Sequence, residues 1–148
     1  KYKYAIDDET LYDKTFTKYY YEDGLKTLEP TDDAATANWG NDWRMPTKKE
    51  LIELTNECTW EHAEFNGIGG SLITGPNGNT IFMPKAGIYN SNGSLSKPGS
   101  GGNYWSSSLY DEQKAASLSF CGYNRDAHFS EEYRKESLTI RPVASLQK

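Results

Sequence analysis

The chain has 148 residues, a formal net charge of −5 and a pI near 5.1. That length suits one domain, with a core that needs no metal or disulfide staple. Acidic and basic residues are interspersed without a basic stripe, and no apolar run reaches about 18 residues, so neither nucleic acid nor membrane insertion is expected. Aromatic residues make up 14% of the chain and include 11 tyrosines, too many for one core of this size. Part of the tyrosine must reach the surface, where its ring offers wide contact at low entropy cost.

The first stretch, residues 1–28, is polar and tyrosine-rich and reads as an irregular lead-in with one short strand. The chain opens on Lys1 rather than Met. We therefore expect a truncated N-terminus, with any processing signals upstream of the residues seen here. "TLEPTDDAATANWG" predicts a short helix over about 32–38, with Thr31 as N-cap, Asp32 and Asp33 in its first turn and Gly40 at its end. "MPTKKELIELTNEC" predicts a longer helix over 48–57. Thr47 and Glu50 form a capping box, and Pro46 is placed to pack on Leu51. Leu51, Leu54 and Cys58 share one helical face.

Beyond Trp60 the pattern changes to short strands and loops. "GSLITGPNGNTIFMP" predicts two strands around a turn containing Asn77 and Gly78. A long Gly/Ser/Asn loop follows, over about 85–102, longer than most connections inside a compact domain. Closing strands are expected in "NYWSSSLY", "AASLSFCGYN", "AHFSEEY" and "SLTIRPVAS". Ala116, Leu118 and Phe120 alternate with Ser117 and Ser119, which predicts one buried face. The outcome is an α+β fold, two helices against small twisted antiparallel sheets.

The residues for catalysis are sparse. A nucleophilic cysteine needs a base beside it and a lowered pKa. Cys58 is expected on a buried helix face, with His62 four residues on. Cys58 and Cys121 could pair or stay as buried free thiols. His62 and His128 are too far apart in sequence to suggest a metal site, and Asp7, Asp8, Asp32 and Asp33 are the candidates for a loop calcium site. Glu131 and Glu132 are adjacent, so on a strand they point to opposite faces and cannot flank one glycosidic bond. No enzyme activity, cofactor or metal is expected.

The order "NWGNDWRMPTKKELIEL", "CTWEH", "GPNGNTIFMPKAG", "GNYWSSS" and "LTIRPV" resembles the Fibrobacter succinogenes major paralogous (FISUMP) domain family over about Leu28 to Val143. The resemblance implies a single C-type-lectin-like domain of a secreted or cell-surface bacterial protein. It implies that Trp43, Met45 and Trp105 pack in the core, and that Arg44 points outward or pairs with an acid. It places a ligand face between "YWSSS" and "IRPV". Sugar-binding calcium triplets of lectins are replaced here by "GPNG" and "GNDW", so calcium-dependent sugar binding is not implied. Neither cysteine context matches the paired-cysteine site of formylglycine-generating enzymes, which share the fold.

Within that face Tyr110, Tyr123, Asn124, Arg125, Asp126, His128, Tyr133 and Arg134 crowd together. Rings for stacking beside directional polar groups suit a glycan or a protein ligand. The expectation is a non-enzymatic, surface-displayed binding module. The alternative is a structural module of a larger adhesin or pilus-like protein with no small ligand.

Overall fold

A computed structural model describes residues 16–90, 92–121 and 127–145. It is an α+β fold with two helices and four small antiparallel sheets.

From Phe16 onward the lead-in runs through a 3-10 turn, Tyr21–Asp23, and packs on the rest of the fold. Tyr19 is fully buried, and the backbone N–H of Leu28 donates to Ser107 O at 2.8 Å. Helix α1 spans Ala34–Trp39. Its N-cap is Asp33, not Thr31, because residues 29–32 close a turn in which the N–H groups of Asp32 and Asp33 both donate to Glu29 O. The buried Asp33 carboxylate then accepts from Ala35 N and Thr36 N, and also from Met45 N at 2.9 Å. One carboxylate thus caps the helix and fastens it to the chain after strand β1, Trp43–Arg44.

Helix α2, Lys48–Glu57, carries the predicted capping box: Thr47 accepts from Glu50 N, and Glu50 accepts from Thr47 N at 2.8 Å. Arg44 pairs with Glu50 in fork geometry, at 2.5 and 2.7 Å. Leu51 enters the core, with Leu54 and Cys58 packed against it.

Strands β2 (Thr59–Phe65), β3 (Ile68–Thr74) and β4 (Thr80–Pro84) form one sheet in that order. Phe65 pairs with Ile68 across a two-residue turn, where Asn66 and Gly67 both have positive φ. That is the tight Asn-Gly hairpin turn. Asn77-Gly78 instead sits in a wider turn closed by Gly75 N to Asn79 O. The long Gly/Ser/Asn stretch is not all loop: β5 (Ile88–Tyr89) and β6 (Leu95–Ser96) pair there, and Asn90 Nδ2 donates to Ser94 Oγ and Ser96 Oγ.

The last sheet is β7 (Gly101–Leu109), β8 (Lys114–Cys121) and β9 (His128–Tyr133). The core gathers Leu51, Trp60, Ile73, Met83, Tyr104, Leu118 and Phe120 from α2 and both larger sheets. Tyr104 and Phe120 stack at 5.9 Å, and Trp60 tilts on Phe120 at 5.4 Å. "SLTIRPVAS" is mostly a strap and not a strand. Ser137 exchanges both backbone hydrogen bonds with Tyr89, Thr139 clips to β7 through Trp105 N and Asn103 O, and β10, Val143–Ala144, pairs with β1.

Two tryptophans depart from expectation. Trp43 is 42% exposed, because β1 pairs only with the two residues of β10 and Met45 takes the inward position. Trp105 is half-buried beneath the strap, while its neighbour Tyr104 points into the core, as alternation along a strand requires.

Candidate functional site

The serine run between Trp105 and Tyr110 shapes the end of β7. The β7–β8 register shifts between Trp105 and Leu109, so the strand bulges there. One hydroxyl takes over a ladder bond, Ser106 Oγ donating to Ala116 O of β8 at 2.8 Å, and another reaches the start of α2, Ser108 Oγ accepting from Lys48 N at 3.1 Å. Ser107 N donates to Pro46 O. Ser106 and Ser107 are buried. The turn after β7 is closed by Asp111, whose side chain accepts from Gln113 N and Lys114 N, and Tyr110 N donates to Lys114 O at 3.0 Å. Tyr110 is thereby held at the tip of a hydrogen-bonded hairpin and remains 50% exposed.

Directly opposed residues of an antiparallel pair share a face. The pairs Lys114–Tyr133, Ala116–Glu131 and Leu118–Phe129 therefore put Phe129, Glu131 and Tyr133 on one face of the sheet. Lys48 Nζ lies 4.5 Å from the Phe129 ring centre and 5.6 Å from that of Tyr110, and the two rings are 6.4 Å apart. Lys114 and Lys135 each lie 5.3 Å from the Tyr133 ring. Lysines over ring faces in this way hold the aromatics in place by cation–π attraction.

Tyr110 also borders a cleft of about 630 Å³ formed with the lead-in. Tyr20, Tyr21 and Tyr110 line it, together with the carboxylates of Glu22, Asp111 and Glu112. Tyr21 is 86% exposed, and its N–H donates to Glu112 Oε1 at 3.1 Å. The wall behind is firm, with Leu109 N donating to Lys26 O and the buried Tyr19 hydroxyl donating to Asp32 and accepting from Glu29 N. The volume lies in the range of small-ligand sites.

Of the expected site residues, Tyr110 and Tyr133 lie exposed on this part of the surface. His128 is exposed but opposes Ser119, on the other face of the sheet from Phe129 and Tyr133. Arg134 is not a surface residue and is removed from the ligand-facing set. It is 4% exposed, and its guanidinium donates to the carbonyls of Lys18, Tyr19 and Glu112 and lies over the Phe16 ring at 4.0 Å. Tyr123, Asn124, Arg125 and Asp126 lie outside the described residues. The sequence reading missed Tyr20, Tyr21 and Glu22. Their sign was the tyrosine run in the lead-in, which has no periodicity to place it against Tyr110.

Cys58 and Cys121 are free thiols. Burial, with help from Glu53 and Glu57, pushes the Cys58 thiol up, away from the thiolate a nucleophile requires. His62 Nδ1 lies 3.2 Å from Lys85 Nζ. Asp32 is engaged by Lys18 and Tyr19, and Asp33 by three backbone N–H groups; Asp7 and Asp8 lie outside the described residues. Among the described residues no three His, Cys, Asp or Glu side chains cluster as a metal set would. No family model, curated protein or solved structure matches the chain.

Proposed function

We propose that this chain is a non-enzymatic binding module, displayed at a cell surface or secreted. It holds a glycan or an exposed segment of a surface protein in the tyrosine cleft and against the adjoining aromatic–lysine face. The observation that carries the reading is the exposure of Tyr21, Tyr110 and Tyr133, each on backbone anchored by a hydrogen bond: Tyr21 N to Glu112 Oε1, Tyr110 N to Lys114 O, and Glu136 N to Tyr133 O. Exposed rings on a rigid frame bind at low entropy cost, since little order remains to be imposed. The carboxylates of Glu22, Asp111 and Glu112 accept hydrogen bonds from hydroxyls or amides beside the rings, which gives direction to the stacking. The order of motifs that resembles the FISUMP family, with its C-type-lectin-like fold, supports the same reading and the surface location.

The test is a screen of the purified domain against a glycan array and surface-protein extracts, beside a Tyr21→Ala/Tyr110→Ala variant. A binder retained in EDTA and lost in the folded variant supports the cleft as a metal-independent site. A binder that the variant retains excludes the cleft. A folded protein that binds nothing on either panel favours a structural module of a larger surface protein.

A further inference from the structure

A second cavity, of about 750 Å³, opens between α2, the β3–β4 hairpin and the carboxy-terminal strap. It shares no lining residue with the tyrosine cleft. Its floor is the core itself, through Leu51, Met83 and Tyr104. Leu54, Ile81 and Val143 continue the apolar surface and are only partly buried. An apolar concavity of this size is the ordinary form of a small-molecule site.

The charges around it are unequal. Glu50, Glu53 and Glu57 recur along one side of α2 and all line the cavity. Glu50 is neutralised by Arg44. Glu53 and Glu57 are exposed, with no ion pair or side-chain hydrogen bond among the described residues. Arg141, on the strap, is the one cation among the lining residues. Two uncompensated carboxylates therefore face an apolar floor against a single guanidinium. The Cys58 thiol, which lines the same cavity, is raised by burial and by these same two carboxylates.

We propose that this cavity binds a small organic cation with an apolar body, an amine on a hydrocarbon or aromatic frame. The ammonium sits at Glu53 and Glu57, and the body lies on Leu54, Ile81 and Met83. A neutral or anionic molecule of the same shape buries as much apolar surface but leaves the carboxylates uncompensated, so charge decides the preference.

Three probes of nearly one shape test this: phenethylamine, 2-phenylethanol and 3-phenylpropionate, titrated into the intact chain with methyl-resolved NMR detection. The expected result is saturable shifts at the Leu54, Ile81 and Met83 methyls with the amine, and roughly tenfold or weaker binding of the other two. Glu53→Gln/Glu57→Gln lowers amine affinity by about tenfold and leaves that of the alcohol and the melting temperature unchanged, since both side chains are exposed. Arg141→Gln tightens amine binding. The Tyr21→Ala/Tyr110→Ala variant binds the amine as before, which separates this site from the tyrosine cleft. Equal affinity for all three probes overturns the proposal, as does the absence of saturation with the amine to about 10 mM.

Discussion

Arg134 lies over the ring of Phe16 at 4.0 Å, and one of its nitrogens donates to Tyr19 O at 2.7 Å and Glu112 O at 2.8 Å. A residue just past the last strand of the main sheet thus ties the lead-in to the β7–β8 turn. Those two segments are the walls of the tyrosine cleft. Lysine keeps the charge but lacks the planar fork that reaches three carbonyls. Arg134→Lys is expected to cost about 2 kcal/mol, the value of breaking a buried charged network. Hydrogen exchange should speed up at Tyr21 and Leu109 well before the α2 amides. Uniform protection in the variant would contradict the pinning role.

Glu50 serves both the capping box and the Arg44 pair. The Arg44 guanidinium, outweighing the opposing effect of partial burial, holds its carboxyl down to about 2. The ordinary value for an unfolded glutamate is about 4.3. The stabilisation is therefore complete above that value and is lost as pH falls from about 4.3 toward 2. Because the carboxyl is more than a third exposed, solvent screening leaves about 1 kcal/mol of it. Glu50→Gln should lower the melting temperature at pH 7 and flatten its acid-side decline. The check is thermal unfolding followed by circular dichroism from pH 2 to 7.

Asp33→Ala removes the α1 cap and strands Met45 N in a buried position. The expected loss is about 2–3 kcal/mol, more than an exposed cap costs, because an unsatisfied buried donor is added. Asp33→Asn restores part of it, since its carbonyl oxygen still accepts. Urea unfolding of the three proteins measures this. Equal stability of the Ala and Asn forms would refute the shared-acceptor account.

Gly102 pairs with Phe120 across β7 and β8, and a Cβ built on it would stand 2.1 Å from the far carbon of the Phe120 ring. That ring packs against both Trp60 and Tyr104, so moving it disturbs both contacts. Gly102→Ala is expected to destabilise by about 1–3 kcal/mol, as overpacking does. A Phe120→Leu background should relieve part of that cost, and the double-mutant cycle reads the coupling directly.

The two thiols differ in reach: Cys121 is exposed, and Cys58 is half-buried with its thiol pushed up. A thiol reagent at pH 8 should label Cys121 quickly and Cys58 only slowly, and both quickly in denaturant. Reducing agent should leave the melting temperature unmoved. A shift on reduction would mean that the two thiols do pair.

Local chemistry made some elements legible in the sequence. Helix α2 follows from Thr47, Glu50 and the Leu51–Leu54 spacing, all within a few residues of one another. In β8, Ala116, Leu118 and Phe120 are buried as their alternation predicts, but Ser117 on the opposite face is fully buried too, so the strand is covered on both sides there. The hairpin after Phe65 is equally local, with Asn66-Gly67 at its two-residue turn, whereas the Asn77-Gly78 pair lies in a wider one. The cap of α1 was misassigned to Thr31 because only the turn at 29–32 determines which residue faces the first N–H groups.

The sequence by itself determined the α+β class, the long helix and the surplus of tyrosine, because each rests on composition or on neighbours within a turn or a strand. Which tyrosines face solvent was decided by tertiary structure alone. Tyr19 and Tyr21 stand two positions apart in one run, yet one is fully buried and the other is 86% exposed. Arg134 reads as a polar surface residue until Phe16 and three distant carbonyls enclose it. The cleft joins residues 19–26 to residues 109–112, and the second cavity joins α2 to the strap. Such sites arise from chain closure over long separations, where pairing register and packing decide what no local pattern records.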